Sequence, residues 1–320
     1  MCKIIPILGA GPAGSCAAIA ARREGSPVRL IEKSKFPRHK VCGEFFSPEI
    51  EAELTQLGVW DAFLAAGPTR IRRMKLHFGK REKKSILPEP AWGLSRYAFD
   101  ALLLARACAA GAEIVRESDL SPIITASGRQ PSPSPRGNRL FGFKTHFEGP
   151  PDDTVELFFF DRCYVGVNTI EGGFTNVCGL GPEDLFRRFD FNFDAIVQQS
   201  PALAEHLRPL RRSMGWLTTG PLQFGQSFSF GETYPAGDAL SFVDPFTGTG
   251  LVAAVKTGSL AGMAASQGTA RSEYLAQCRA SLGKPFEIAR ILRKVLNTGW
   301  ADALVPVLPS RLLFALTRPK

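Results

Sequence analysis

No stretch of this chain reaches the roughly 18 uninterrupted apolar residues that a membrane-spanning helix requires, so no spanning helix is expected. Cysteines are few and unpatterned. The seven of them, Cys2, Cys16, Cys42, Cys108, Cys163, Cys178 and Cys278, are scattered and odd in number, with no Cys-x-x-Cys or Cys-x-x-x-x-Cys pair. That spacing excludes a zinc site and a dithiol redox centre, and it places the protein in a reducing compartment, the cytoplasm. There is no internal repeat. Acid is also in short supply: 39 Lys and Arg stand against 30 Asp and Glu, a net charge of +9. No nucleic-acid-binding motif accompanies the excess, so nucleic acid is not expected as a partner. The basic residues cluster at Arg70, Arg72, Arg73 and Lys75, at Lys80, Arg81, Lys83 and Lys84, and at Arg208, Arg211 and Arg212. They read as solvated strand faces and loops, or as a field that attracts an anionic cofactor, an anionic substrate or an acidic membrane surface.

What is present is a globular composition. The chain is 44% hydrophobic and 22% charged over 320 residues, enough for one large or two ordinary domains with a full core. The most informative segment is Met1 to Glu32. Lys3 to Leu8 reads as a buried parallel strand. Gly9-Ala10-Gly11-Pro12-Ala13-Gly14 follows, then an Ala-rich helix from Pro12 to Glu24, a closing Gly25, and a second strand, Val28 to Glu32, ending in an acid. This is the order of a dinucleotide-binding βαβ unit. Gly9 permits the tight turn, Gly11 lets the backbone approach a pyrophosphate, and Gly14 lets helix and strand pack closely, helped by Ala17, Ala18 and Ala21. The helix N-terminus offers N–H groups and a positive dipole end to the phosphates. Glu32 stands where the adenosine ribose hydroxyls bind. A secretory leader is the competing reading. The apolar run is broken by Pro6, three glycines and Pro12, however, and it leads into a matching strand that a leader does not need.

A basic loop, Lys33 to Glu44, lies beyond the carboxyl end of the second strand, where ligands of open α/β sheets bind. Helices are expected from Pro48 to Leu57, from Trp60 to Ala66, and from Ser95 to Ala110, with Gly111 as a stop. Ile71 to Phe78 has the period of two of a half-buried strand, and Ala112 to Val115 reads as another strand. Ser127 to Asn138 is a loop rich in Ser, Pro, Gly and Arg. Then come short aromatic and β-branched runs at Arg139 to Phe147, Thr154 to Phe160, Arg162 to Thr169 and Gly173 to Leu180, read as an antiparallel sheet. Pro182 to Leu210 is helical in pattern. Gly231 to Ala236 can be a strand, Leu251 to Ser266 a helix, and the last fifty residues are helical.

With Gly237-Asp238-Ala239 and Asp244-Pro245-Phe246-Thr247-Gly248-Thr249-Gly250 in place, the chain resembles the FAD-dependent oxidoreductases related to geranylgeranyl reductases and to aromatic-ring (group A type) flavin monooxygenases. The resemblance is carried by Gly9 to Gly14, Glu32, Phe36-Pro37-Arg38, Cys42-Gly43-Glu44, Ser95-Arg96 with Phe99-Asp100, and Gly237 to Gly250. Tyr164-Val165-Gly166-Val167, Glu171-Gly172-Gly173 and Thr175-Asn176-Val177-Cys178 fit the branch nearer the geranylgeranyl reductases. It implies an α/β fold: a Rossmann-like FAD-binding domain of the glutathione-reductase type, an antiparallel β-sheet substrate lobe and C-terminal helices. The FAD-binding domain would be discontinuous, over 1–68, 91–130 and 231–266, with the lobe over 69–90 and 137–230 and the helical segment over 267–320. Gly9, Gly11 and Gly14, with Pro12 and Ala13, would hold the pyrophosphate. Glu32, with Lys33 beside it, would bind the adenosine ribose, flanked by Arg38 and Arg96. Asp238, next to Gly237, would contact the ribityl or pyrophosphate region. Pro245, Gly248 and Gly250 would lie along the isoalloxazine with the helix opening at Leu251, and Cys42 would stand beside the flavin. No catalytic residue and no metal is implied.

Two departures accompany the resemblance. The usual mid-chain Asp-Gly dipeptide is here Ser127-Gly128, and Val115 to Ile123 leaves little room for the hairpin strands that normally precede it. The nucleotide domain's second layer is therefore expected to be incomplete. The Trp-containing halogenase motif and the Tyr-x-Trp-x-Phe-Pro motif of archaeal lipid reductases are absent, so halogenation is not expected.

The implied activity is an FAD-dependent oxidoreduction of an apolar or aromatic small molecule, as a monooxygenase. NAD(P)H would be a transient electron donor, since no second glycine fingerprint exists to hold it. Reduction of a prenyl-lipid double bond and a flavin-holding, electron-transfer or non-turnover role are the alternatives. Substrate-pocket residues are expected around Phe141 to Phe147 and Tyr164 to Thr169. Trp300 to Lys320, apolar and basic, packs back on the core or lies as an interfacial helix on anionic lipid, a peripheral membrane contact.

Overall fold

The computed structural model describes residues 3–129, 139–222, 225–226, 231–242 and 248–282. In chain order, β1 (Ile5–Leu8), α1 (Pro12–Arg23) and β2 (Val28–Ile31) form the opening unit. A short β3 (Phe45–Phe46), α2 (Ile50–Gln56), α3 (Trp60–Ala65) and the long hairpin of β4 (Thr69–Phe78) and β5 (Arg81–Gly93) follow. Then α4 (Arg96–Ala109) leads to β6 (Glu113–Val115) and β7 (Ile124–Thr125). The antiparallel run is β8 (Leu140–Glu148), β9 (Thr154–Phe160), β10 (Cys163–Thr169) and β11 (Phe174–Pro182). Three short helices, α5 (Glu183–Arg188), α6 (Phe193–Val197) and α7 (Pro201–Leu207), precede β12 (Arg211–Arg212), β13 (Leu217–Leu222) and β14 (Gly225–Gln226). Last come β15 (Tyr234–Pro235), β16 (Ser241–Phe242), α8 (Gly250–Gln267) and a helix over 271–282.

Two sheets carry the fold. The first is parallel, in the order β15-β7-β1-β2-β6. Its central strand is covered on both faces, with Ile5 and Ile7 buried, as a near-continuous apolar run requires. The second has nine strands in the order β12-β8-β11-β10-β9-β4-β5-β3, with β13 also on β8. Along β8, β10 and β11 the side chains alternate. Phe143, Val165, Val167 and Val177 pack with Leu185, Phe186, Phe193 and Leu203 in a core under α5 to α7. The opposite face looks toward the parallel sheet's loops. This is the expected α/β architecture, a Rossmann-like unit with an antiparallel sheet beside it.

Glycine decides how α8 meets α1. A Cβ on Gly258 would stand 2.2 Å from the Ala13 carbonyl oxygen, and one on Gly262 would stand 2.2 Å from that of Ala17. The helices therefore touch backbone to backbone, running parallel, with α8 starting about two turns ahead of α1.

Several expectations need correcting. The helical pattern from Pro182 to Leu210 is broken into three pieces: Asp190 and Phe191 take left-handed backbone (φ 50 and 56) between α5 and α6, and Ser200 takes extended backbone as the N-cap of α7. The strand expected over Gly231 to Ala236 shrinks to β15. β5, β3 and β7 were not anticipated, and β5 runs through the boundary placed at residue 90. Pro88 and Pro90 argue against a central strand, but along most of its length β5 borders no described strand except β4, and an edge tolerates proline. The shortage of strands before Ser127 is real: residues 116–123 cross from β6 to β7 without one.

Candidate functional site

A single cleft of about 560 Å³ runs from the glycine turn after β1 to the face of the antiparallel sheet. Gly9, Gly11, Pro12, Ala13, Glu32, Lys33, Arg38, Cys42, Arg96, Gly237, Asp238, Gly248, Gly250 and Leu251 all line it. Of the residues singled out from the sequence, Gly14 does not line the cleft, and Pro245 lies outside the described residues. Gly14 instead supports the turn: a Cβ there would meet the Gly9 carbonyl oxygen at 1.8 Å. Ser127 and Gly128 also line the cleft, directly after β7.

Two helix N-termini open into this cleft, and neither is capped by a side chain. α1 starts at Gly11 and α8 at Thr249, with no side-chain hydrogen bond to either end and no acid in either first turn. The other helices over six residues whose caps involve Ser behave differently: Ser95 caps α4 and Ser200 caps α7. Free N–H groups and two aligned dipoles make the cleft a place for anions.

Charged side chains complete that end. Glu32 accepts hydrogen bonds from the Ala10 N–H (3.0 Å) and the Ser34 N–H (2.7 Å), and Arg38 approaches it at 3.7 Å. Burial opposes ionisation of Glu32, but the two backbone donors and Arg38 outweigh it and hold the carboxyl below its usual range. Arg38 stacks over Phe36, and its buried Nε has no hydrogen-bond partner. Arg96 grips Asp100 through two bonds of 2.6 and 2.7 Å, so its place at the cleft wall is fixed by its own helix. Lys40 and Arg129, which the sequence did not single out, line the same stretch. Burial, with Arg96 and Arg38 nearby, pushes the Lys40 amine below its ordinary value. Arg129 donates to Thr219 at 2.8 Å and lies 3.9 Å from Asp238.

The other end is apolar. Met74, Leu76 and Phe78 of β4, Leu87 of β5, and Val155 and Leu157 of β9 form its wall, with Tyr164 and Gly166 of β10 at the approach. The pocket residues anticipated around Tyr164 to Thr169 are there in part. Those around Phe141 to Phe147 are not the phenylalanines: Phe143 and Phe147 belong to the core on the sheet's far side, and Gly142 is what faces the cleft. The β4 residues could have been found from the alternation of Met74, Leu76 and Phe78.

Between the two ends lies Glu44, wholly buried. It accepts the Arg96 N–H at 2.6 Å, pairs with Lys144, and lies 2.8 Å from His146 Nε2. Burial disfavours its charge, but His146 and Lys144 reverse this and hold it ionised, below the ordinary carboxylate range. Among the described residues no group of His, Cys, Asp and Glu is arranged to hold a metal.

No family model matches. Menaquinone reductase of Mycobacterium tuberculosis is 49% identical over 55 residues, which is 17% of this chain and 14% of that protein. Tryptophan 2-halogenase of Chondromyces crocatus is 31% identical over 121 residues, 37% of this chain and 23% of the halogenase. The chain thus aligns with less than a quarter of the length of these curated relatives. Solved structures match almost throughout. A flavin-dependent brominase has a TM-score of 0.76 at 19% identity over 98% of this chain and 93% of its own. A flavoprotein/dehydrogenase from Cytophaga hutchinsonii has a TM-score of 0.75 at 18% identity, covering 94% and 88%.

The chain has the fold of these flavoproteins. In this flavoprotein fold the cleft described above runs between the two sheets, and the expectation of an α/β flavoprotein architecture holds. The solved neighbours include halogenases even though the halogenase Trp motif is missing here, so at this level of identity the likeness speaks for fold rather than for halogenation. No helix among the described residues is long and apolar enough to cross a membrane. The segment Trp300 to Lys320, raised as a membrane contact, lies outside the described residues.

Proposed function

We propose that the chain is an FAD-dependent oxidoreductase that uses its flavin on an apolar small molecule, as a monooxygenase. One observation carries this reading: two helix N-termini without side-chain caps converge on a single cleft whose other end is a wholly apolar wall. The residues present suit FAD. Gly11 has open space where a side chain would stand, Glu32 is ionised beside the turn, and the orphaned Arg38 Nε and the amine of Lys40 await an anion. Gly9, Gly11 and Ala13 would hold the pyrophosphate, Glu32 the ribose, and Asp238, Gly248 and Gly250 the ribityl and ring end. When bound, the flavin supplies the redox chemistry. The protein's part is to orient it with charge at one end and to exclude water at the other through Met74, Leu76, Phe78 and Leu157. The uncapped end of α8 favours negative charge on any group placed against it.

Double-bond reduction on an apolar chain is the second reading. It is favoured by the mainly aliphatic wall and by the short stretch shared with menaquinone reductases. The deciding experiment is the absorption spectrum of the purified protein after reconstitution with FAD, followed anaerobically on adding NADH or NADPH and then on admitting air. A flavin spectrum that bleaches and recovers in air supports a redox enzyme driven by NAD(P)H. A spectrum that bleaches with dithionite but not with NAD(P)H removes NAD(P)H as the donor. A protein that retains no FAD overturns the proposal.

A further inference from the structure

The geometry points to Lys144 as the positioning residue of the cofactor loop: from the antiparallel sheet it fixes residues 38–44 in the cleft, acting through Glu44. This rests on the reading of the cleft as a flavin site. Lys144 is completely buried on β8, and it is not among the residues that line the cleft. Its amine donates to the Lys40 carbonyl at 3.2 Å and to Glu44. Two residues along the same strand, His146 takes the other oxygen of Glu44. From β11, Asn176 donates to the carbonyls of Gly43 (2.8 Å) and Cys42 (3.3 Å), and from β10 Asn168 donates to that of Glu44 (3.5 Å). The loop that presents Arg38, Lys40 and Cys42 to the cleft is thus bolted to the sheet by four side chains, Lys144, His146, Asn168 and Asn176, and Lys144 supplies the charge.

Two physical arguments support a role beyond stability. A buried ion pair seldom stabilises more than apolar residues of the same volume would, whereas it strongly prefers one geometry. Glu44 also holds left-handed backbone, φ 52, a conformation that a residue with a side chain keeps only where its surroundings over-determine it. The sheet therefore sets where the loop's cations stand.

The test compares Lys144→Gln, Glu44→Gln and the double variant with Glu156→Gln. Glu156 is a buried carboxylate on the same sheet, bonded to His77 and outside the cleft lining. Two quantities are read: FAD affinity by fluorescence titration, and hydrogen–deuterium exchange of peptides spanning 36–46 in the FAD-free protein. Lys144→Gln is expected to weaken FAD at least tenfold and to speed loop exchange at least tenfold, while β10 and β11 stay protected. The neutral double variant should recover most of both losses. Glu156→Gln should lower the melting temperature yet leave FAD affinity and loop exchange within twofold. Unchanged loop exchange in Lys144→Gln overturns the inference, as does an equal loss of FAD in Glu156→Gln. Should Lys144→Gln fail to fold, Lys144→Arg, which keeps the charge and displaces the donor, gives the same comparison. A wild-type protein that binds no FAD sinks the flavin reading alone, because the exchange data still decide the role of Lys144.

Discussion

Glu32 does two jobs at once. Its carboxylate closes the glycine turn by accepting the Ala10 N–H, and on the proposed reading it would also accept from the ribose hydroxyls of FAD. Replacing it with Ala removes charge-assisted bonds of about 1.5–3 kcal/mol in total, so FAD affinity should fall by roughly ten- to a hundredfold. Glu32→Gln should fall less, since the amide oxygen can still accept. Fluorescence titration with FAD checks both, and equal affinity for wild type and Glu32→Ala would remove Glu32 from the ribose site. This residue was legible because its spacing from the glycines is local and fixed by one helix and one strand. Glu44 was visible only as part of a motif. Its partners Lys144 and His146 lie 100 and 102 residues away, and no periodicity in a strand announces that a lysine on it will be buried. Lys40 and Arg129 were hidden for a similar reason, since a basic loop reads as solvated until the fold closes over it.

The pairing of α1 with α8 governs the site among the secondary-structure elements. Gly258 and Gly262 of α8 lie against the carbonyls of Ala13 and Ala17. In an isolated helix, Gly→Ala would be stabilising by about 1 kcal/mol. Here the added methyl has no space, and overpacking of this kind costs about 1–3 kcal/mol. Gly262→Ala should therefore lower the melting temperature and weaken FAD binding together, because separating the helices also separates their N-termini. Thermal unfolding with and without FAD checks this; a raised melting temperature would show that the helices have room. The small residues of α1 were readable as a packing face from the start. Those of α8 were not, because a glycine inside an otherwise helical pattern looks like a mere weakness until its neighbour is known. β5 escaped for the opposite reason: its prolines signal a break, and only its place at the edge of the sheet explains them.

For the molecule as a whole, acid should weaken the antiparallel sheet through two buried carboxylates. Glu44 ties the loop that ends in it to that sheet through Lys144 and His146, and Glu156 joins β9 to β4 and α7 through His77 and His206. Burial raises the pKa of each carboxyl, but hydrogen bonds and charge from histidine and lysine outweigh it, and both end below the ordinary value. A carboxylate whose folded pKa is depressed contributes stability that is fully present above its unfolded pKa, about 4.3, and that is lost as pH falls toward the folded value. Urea unfolding should accordingly show stability that these two groups leave unchanged from neutral pH to about 5 and then erode. Glu156→Gln should be less stable than wild type at neutral pH and lose less on acidification, so that the two curves converge at low pH. Glu44→Gln should converge in the same way, but with FAD affinity already reduced at neutral pH, since its carboxylate holds the loop as well as the sheet. Curves that stay parallel down to acid pH would mean that neither carboxylate is held ionised by the fold, and the electrostatic account of these two buried groups would fall with them.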